Sequence, residues 1–352
     1  MSLINIKFDY FARNARAWDL LEKFFVSAVT SILVIRVYLG ITGYPQIGGG
    51  DFHVAHMLFG GFLMMLSLVV LLIFLNMYVK DVAAVVGGIG FGTFIDELGK
   101  FITNDNDYLY EPAIAIIYVI FVLLFLFFKL VTGPIRLKSR EYTINALEIA
   151  KEVVLQDLDV EEKKKALAYL GESDENDSVA RILKNTLQEI SALPTPPKSW
   201  FYIIKSRLGK LYVEIIKTPL FLKVIPFLYL AFLLINFLPI LFTGFNKSSF
   251  ADKGILFSTS LALVFILLGI YLLSRRKRLV SFNIFRVAVL ITIFLTQFFY
   301  FLKNQLPAVL GLGLNLIILG VVDYLVNQER LRVKKREGIL DELRGENLLR
   351  QL

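Results

Sequence analysis

The hydrophobic positions of this chain fall in long blocks, with the polar residues gathered between them. Eight mostly uncharged blocks stand out, at 24–43, 54–77, 82–103, 112–130, 220–243, 255–273, 282–302 and 306–326. Each is close to the roughly 20 residues a helix needs to cross a hydrocarbon core about 30 Å thick. The strands of a membrane β-barrel would be shorter and would alternate apolar with polar. The pattern predicts an all-α, polytopic transmembrane protein of about eight spans. Asn315 and Asp323 interrupt the last block, and Gly311, Gly313 and Gly320 loosen it, so a seven-span count with an interfacial last block is the alternative. Pro226 and Pro239 mark the fifth block as a kinked or broken helix.

The polar segments divide the chain. Two four-helix membrane units are expected over 1–135 and 219–326, separated by an insert and linker at 136–218 and followed by a charged tail at 327–352. The insert shows helical periodicity in Ile144, Leu147, Ala150, Val154 and Leu158, a break over 171–177, a second helix over 178–190 and a proline-marked linker at Pro194, Pro196 and Pro197. Its Lys163-Lys164-Lys165 run follows Glu161 and Glu162 and reads as a solvated helix face. The tail reads as an amphipathic helix with Ile339, Leu340, Leu343 and Leu348 on its apolar positions, lying on the membrane surface or on the insert.

Composition supports this division and charge gives it an orientation. Of 352 residues, 56% are hydrophobic and 19% charged, against about 25% charged in soluble domains, which excludes a soluble globular enzyme. Cysteine is absent, so disulfides, thiolate metal sites and a cysteine nucleophile are excluded. The net charge of +8 would suggest nucleic acid in a soluble protein. Here the basic residues sort by side: Lys80, the 136–218 stretch, Arg275 to Arg278 and the tail share one side, while loops 44–53 and 104–111 carry none. Cytoplasmic loops hold such an excess. The expectation is a multi-pass protein of the cytoplasmic (inner) membrane with both termini cytoplasmic and the first span a permanent anchor. Its expected partners are membrane lipids and a cytoplasmic protein bound through 136–218, with no nucleic acid.

The unusual residues gather in the first unit. Both histidines, His53 and His56, follow Asp51 at the outer end of the second span. The third span runs Gly87-Gly88-Ile89-Gly90-Phe91-Gly92 into Asp96, Glu97 and Lys100, and the first span carries Arg36. Ionisable groups inside spans are costly and face a bundle interior or an aqueous cavity. At about 1.5 Å per residue, Arg36 and Asp96 lie on the order of 10 Å inside the outer boundary, with His56 shallower. Helical spacing aligns His53, His56, Gly60, Met64 and Ser67 on one face of span two, and Gly88, Gly92, Asp96 and Lys100 on one face of span three. Small residues let membrane helices approach closely. The two faces are therefore expected to pack together, with Arg36 approaching from span one.

Each residue also has a structural reading: Asp51 as the N-cap of span two, Arg36 with Asp96 or Glu97 as an ion pair, Glu97 with Lys100 as a pair along the helix. The glycine run follows no strand, so a dinucleotide site fails and helix packing is the default. The loop Asn104-Asp105-Asn106-Asp107 lacks the glycine and terminal glutamate of a calcium-binding hand and reads as a capped turn.

The string Arg36-x-Tyr38-Leu39-x-x-Thr42-Gly43-Tyr44-Pro45, then His53-x-Ala55-His56-x-x-x-Gly60-Gly61, then Gly90-Phe91-Gly92-x-Phe94-Ile95-Asp96-Glu97-x-Gly99-Lys100 with Asp105-Asn106-Asp107-Tyr108, resembles a group of uncharacterised bacterial multi-pass integral membrane proteins over about residues 24–120. The resemblance implies no activity. From the residues, three functions are open. The first is a metal-assisted hydrolase or transferase acting on a lipid or lipid-linked substrate. In it His53, His56 and Asp96 hold a divalent metal (zinc, iron or manganese), Glu97 is the general base and Arg36 anchors developing negative charge. The second is an ion- or proton-coupled transporter or channel, and the third a non-catalytic scaffold or sensor.

Overall fold

The computed structural model describes residues 11–43, 55–103, 110–133, 137–194, 206–207, 209–211, 214, 219–243 and 249–349. Asp51, His53, the 104–107 loop, Pro196 and Pro197 lie outside them. The described residues are helical and contain no strand, only an isolated bridge between Asp159 and Leu193. In chain order the helices begin with α1 (Ala17–Thr42), α2 (His56–Ile73), α3 (Met77–Asp96), the short α4 (Leu98–Ile102) and α5 (Glu111–Thr132). There follow α6 (Ser139–Val154), α7 (Val160–Gly171) and α8 (Ser178–Glu189), then α9 (Pro219–Thr243) and α10 (Phe250–Ser274). A continuous run joins α11 (Arg278–Ile291), a π-helical turn (Thr292–Thr296) and α12 (Gln297–Lys303), and α13 (Gln305–Leu349) is the last described helix.

Among the described residues seven helices are long and apolar enough to cross a membrane: α1, α2, α3, α5 from Pro112, α10, the run Arg278–Lys303, and α13 over Pro307–Val333. The protein is therefore an all-α, multi-pass membrane protein. The last block, suspected of being interfacial, is one of the seven, and the shorter apolar helix is in α9, at Pro226–Phe242. Helix α9 runs through both of its prolines without a break. The tail is not a separate helix either. No proline or cap interrupts the Glu-, Arg- and Leu-rich sequence after Val326, so α13 continues for 45 residues, about 68 Å, well beyond a bilayer's thickness.

The chain divides into two compact units, Met1–Tyr110 with Phe121–Lys198, and Glu111–Ile120 with Ser199–Leu352, so the division runs through α5. In the first unit α3 is central, because its glycines let a neighbour approach on each of two faces. A Cβ added at Gly60 of α2 would stand 2.5 Å from the Phe94 nitrogen and 2.6 Å from the Gly90 oxygen. Additions at Gly88 or Gly92 would meet α1 closer still, at the Phe24 and Ala28 carbonyls respectively. The expected pairing of span two with the Gly88–Gly92 face is thus corrected. Span two packs on the Gly87–Gly90 row, where Ser67 Oγ donates to the Ala83 carbonyl at 2.7 Å, and the Gly88–Gly92 row receives α1. A five-ring aromatic cluster of Phe24, Phe25, Phe91, Phe121 and Phe125 continues α1 and α3 onto the later turns of α5.

Helices α6 to α8 form a small module around Ala146, Ile149, Leu158, Ala166, Leu170, Ala180 and Leu187, with Met77 at the start of α3 packed into the same core. Asp159 and Glu162 cap α7 reciprocally, and Asp177 caps α8 through the amides of Val179 and Ala180. In the lysine run Lys164 and Lys165 are exposed, as a solvated face requires, while Lys163 is half-buried and its Nζ donates to the Ile190 carbonyl at 2.6 Å at the end of α8. The helical period read for α6 is present, but its buried face is different. Ile144, Leu147 and Val154 are exposed, while Glu141, Asn145, Ala146, Ile149 and Glu152 are buried.

The reason is that polar side chains of α6 satisfy backbone groups elsewhere in the unit. Glu152 accepts from the Met77 amide at 3.0 Å, at the first turn of α3. Asn145 accepts from the Ala15 amide and donates to the Arg13 carbonyl, both at 2.8 Å. Glu141 accepts from Arg13 Nη2 at 2.6 Å and from Nε at 2.8 Å. Lys80 pairs with Glu148, and Arg16 and Lys23 converge on Asp81 at 2.8 and 2.7 Å.

Hydrogen bonds from the Arg13 guanidinium hold the Glu141 carboxyl at about 2; burial opposes this, and the Lys138 and Arg13 amides add to it. A carboxyl depressed on folding contributes stability above its ordinary value of about 4.5 and loses it as pH falls toward 2. Amide exchange in α6 is therefore expected to be independent of pH-linked opening above about pH 5 and to gain opening between about 4.5 and 2. In Arg13→Gln, where Glu141 returns toward its ordinary value, α6 is expected to open more at neutral pH and to lose most of this dependence between about 4.5 and 2. An exchange profile identical in the two proteins removes the ion pair from the account.

The second unit centres on Tyr229, Leu233, Ala262, Ile266, Phe285, Val289, Val321 and Leu325. Gly254 and Gly269 of α10 seat the rings of Phe299 and Phe285. Arg286 of α11 pairs with Asp323 of α13 at 2.8 Å.

Candidate functional site

The polar cluster of the first unit is built on the end of α3. The helix stops at Asp96 because Glu97 leaves helical geometry, with φ −83° and ψ 11°, before α4 restarts at Leu98. Two adjacent carboxylates at a helix C-terminus face the negative end of the helix dipole and need compensation. Both are fully buried, so the need is greater. Arg36, from α1, supplies part of it. Its Nε donates to Asp96 Oδ1 at 2.7 Å, and Nη2 reaches the Asp96 carbonyl at 3.4 Å.

Glu97 is compensated in two ways. Lys100 Nζ donates to Oε1 at 2.6 Å, the pair along the helix that the spacing allowed. The Met57 amide donates to Oε2 at 2.7 Å, which places the carboxylate at the N-terminus of α2, where the dipole favours it. The N-cap of α2 is Ala55, which offers no side-chain acceptor, so Glu97 does the capping that the sequence reading gave to Asp51.

His56, the first residue of α2, stands between the two carboxylates. Its Nε2 lies 3.3 Å from Asp96 Oδ2 and its Nδ1 3.4 Å from Glu97 Oε1. Four of the five predicted site residues, Arg36, His56, Asp96 and Glu97, are thus brought together, and Lys100 joins them. His53 lies outside the described residues. His56 and Lys100 keep 23% and 22% of their side-chain surface exposed and Arg36 11%, so the cluster is approached past the imidazole and the ammonium.

In formal charge, Asp96 and Glu97 contribute −2 and Arg36 and Lys100 +2. Among the described residues no group of three or more histidine, aspartate or glutamate side chains is arranged to hold a metal ion. Asp96 Oδ1 and both Glu97 carboxylate oxygens accept from Arg36, Lys100 and the Met57 amide, and Asp96 Oδ2 faces His56 Nε2. No family model, curated protein or solved structure matches the chain.

Proposed function

We propose that the first unit is the site of an ion- or proton-coupled transport function, in which His56 passes protons between Asp96 and Glu97. The observation that carries this reading is the imidazole placed with one ring nitrogen toward each of two buried carboxylates. An imidazole accepts a proton on one nitrogen and releases one from the other, so the geometry links the two acids through a single side chain. Arg36 and Lys100 keep the site near neutrality, which lowers the cost of holding two carboxylates at membrane depth.

The second reading, a metal-assisted hydrolase or transferase with His53, His56 and Asp96 as ligands, is favoured by the approach of His56 to both carboxylates. A divalent ion there would displace Arg36 or Lys100 from its partner, which makes it the less economical of the two.

Reconstituted in liposomes with a trapped pH-sensitive dye, the wild-type protein is expected to carry protons when a cation gradient is imposed. His56→Gln keeps a hydrogen-bonding side chain but cannot relay a proton, and is expected to lower that flux about tenfold or more. Equal flux in wild-type and His56→Gln vesicles overturns the proposal. Zinc, iron or manganese retained stoichiometrically by the purified protein and lost in His56→Ala supports the metal reading instead.

A further inference from the structure

We propose that the second unit holds a binding site of its own, a cavity that takes the hydroxyl group of an uncharged amphiphile. The cavity measures about 250 Å³, several times the roughly 30 Å³ occupied by a water molecule. Phe232, Leu233 and Gly311 are among its apolar lining residues, and Thr292, Gln297 and Asn315 among its polar ones. Its lining carries no charged side chain.

The π-helical turn is what assembles the polar side. Residues five apart on an α-helix stand about 140° apart around its axis. Here the Gln297 amide donates to the Thr292 carbonyl, an i to i+5 bond, so Gln297 stands a wide turn above Thr292 and both line the cavity. Such turns are frequent at functional sites. The carbonyl of Ile293 within the turn is held by the Tyr118 hydroxyl. Tyr229 fixes the floor, with its hydroxyl on Thr292 Oγ1 at 2.8 Å and Asn315 Oδ1 at 3.2 Å.

Gln297 then points to the ligand's chemistry. Its side chain is 1% exposed, and its Nε2 donates to the Ala308 carbonyl at 2.6 Å, which fixes the direction of the amide. Its Oε1 has no hydrogen-bond partner. A buried acceptor left unpaired is costly, and a ligand that donates to it recovers that cost. An ammonium or other full charge would enter without a counter-ion, which membrane depth penalises. A hydroxyl donates one hydrogen at no charge, and the apolar walls suit the chain that carries it. A lipid hydroxyl and a free alcohol share this chemistry.

The test uses the full-length protein purified in detergent and a diazirine-bearing octanol as photolabel. Saturable labelling of residues around the cavity is expected, competed by octanol and not by octane or octanoate. Competition by dioctanoylglycerol as well assigns the site to a lipid hydroxyl; competition by octanol alone assigns it to free alcohols. Gln297→Leu is expected to weaken octanol competition about tenfold, the size of one lost hydrogen bond.

Gly311→Leu supplies the control for folding. A Cβ at Gly311 makes only an ordinary contact, 3.8 Å from Gln297 Oε1, so the substitution starts without a backbone clash and adds bulk at the cavity wall. It is expected to abolish labelling without lowering the thermal midpoint. Labelling that does not saturate, that octane competes equally, or that persists in Gly311→Leu overturns the proposal.

Discussion

Arg36→Met is expected to lower the unfolding free energy of the purified protein by about 3–5 kcal/mol, while Arg36→Met combined with Asp96→Leu recovers most of that loss. The single change strips a fully buried carboxylate of the guanidinium 2.7 Å away, with the His56 imidazole at 3.3 Å a weaker partner. The double change removes the charge together with its partner. A buried pair often contributes little over apolar residues of similar volume, yet half of a pair is expensive. Denaturant titration in mixed micelles measures both variants against wild type. A single variant as stable as wild type means that Asp96 does not need its guanidinium, and the electrostatic account of the site fails.

Gly92→Ala is expected to cost about 1–3 kcal/mol, and Gly88→Ala a similar amount, because each methyl is driven into a backbone carbonyl of α1 that has no rotamer to yield. Gly61→Ala provides the contrast. It lies in the same unit, nothing stands within 4 Å of its added Cβ, and it is expected to be neutral or to stabilise by up to about 1 kcal/mol. Thermal unfolding of the three variants decides the point. Equal behaviour would mean that glycine's helix propensity, rather than close approach, governs all three sites. The two clashing variants also displace the helix that ends in Asp96, so they are expected to lower any activity of the cluster more than their stability alone accounts for.

The spans were legible because length and hydropathy depend on residues adjacent in sequence, and so was the meeting of Arg36, His56, Asp96 and Glu97, which follows from depth and helical spacing. What escaped has a common cause. Glu141, Asn145 and Glu152 fall off the apolar period read for α6, yet they are buried because their partners include amides of Arg13, Ala15 and Met77. Backbone donors have no signature in the sequence, so a carboxylate that serves one looks like any solvated acid. The capping of α2 by Glu97 from a neighbouring helix was hidden for the same reason. The alignment of Gln297 with Thr292 depends on a π turn that α-helical periodicity does not foresee.

The bond from the Met77 amide to Glu152 sets an order on assembly. It joins residues 75 apart in sequence, with Glu152 the later to be made. At about 5–20 residues per second, a ribosome takes roughly 4–15 s to travel from one to the other. Until then the turn between α2 and α3 lacks the Glu152 acceptor for the Met77 amide and the α6 side chains of the core that Met77 enters. The hairpin is completed only when α6 has emerged and α5 lies between them in the chain, so a nascent protein stalled before residue 152 carries an unfinished hairpin. Crosslinking between positions 77 and 152 in chains arrested at successive lengths would time this closure directly.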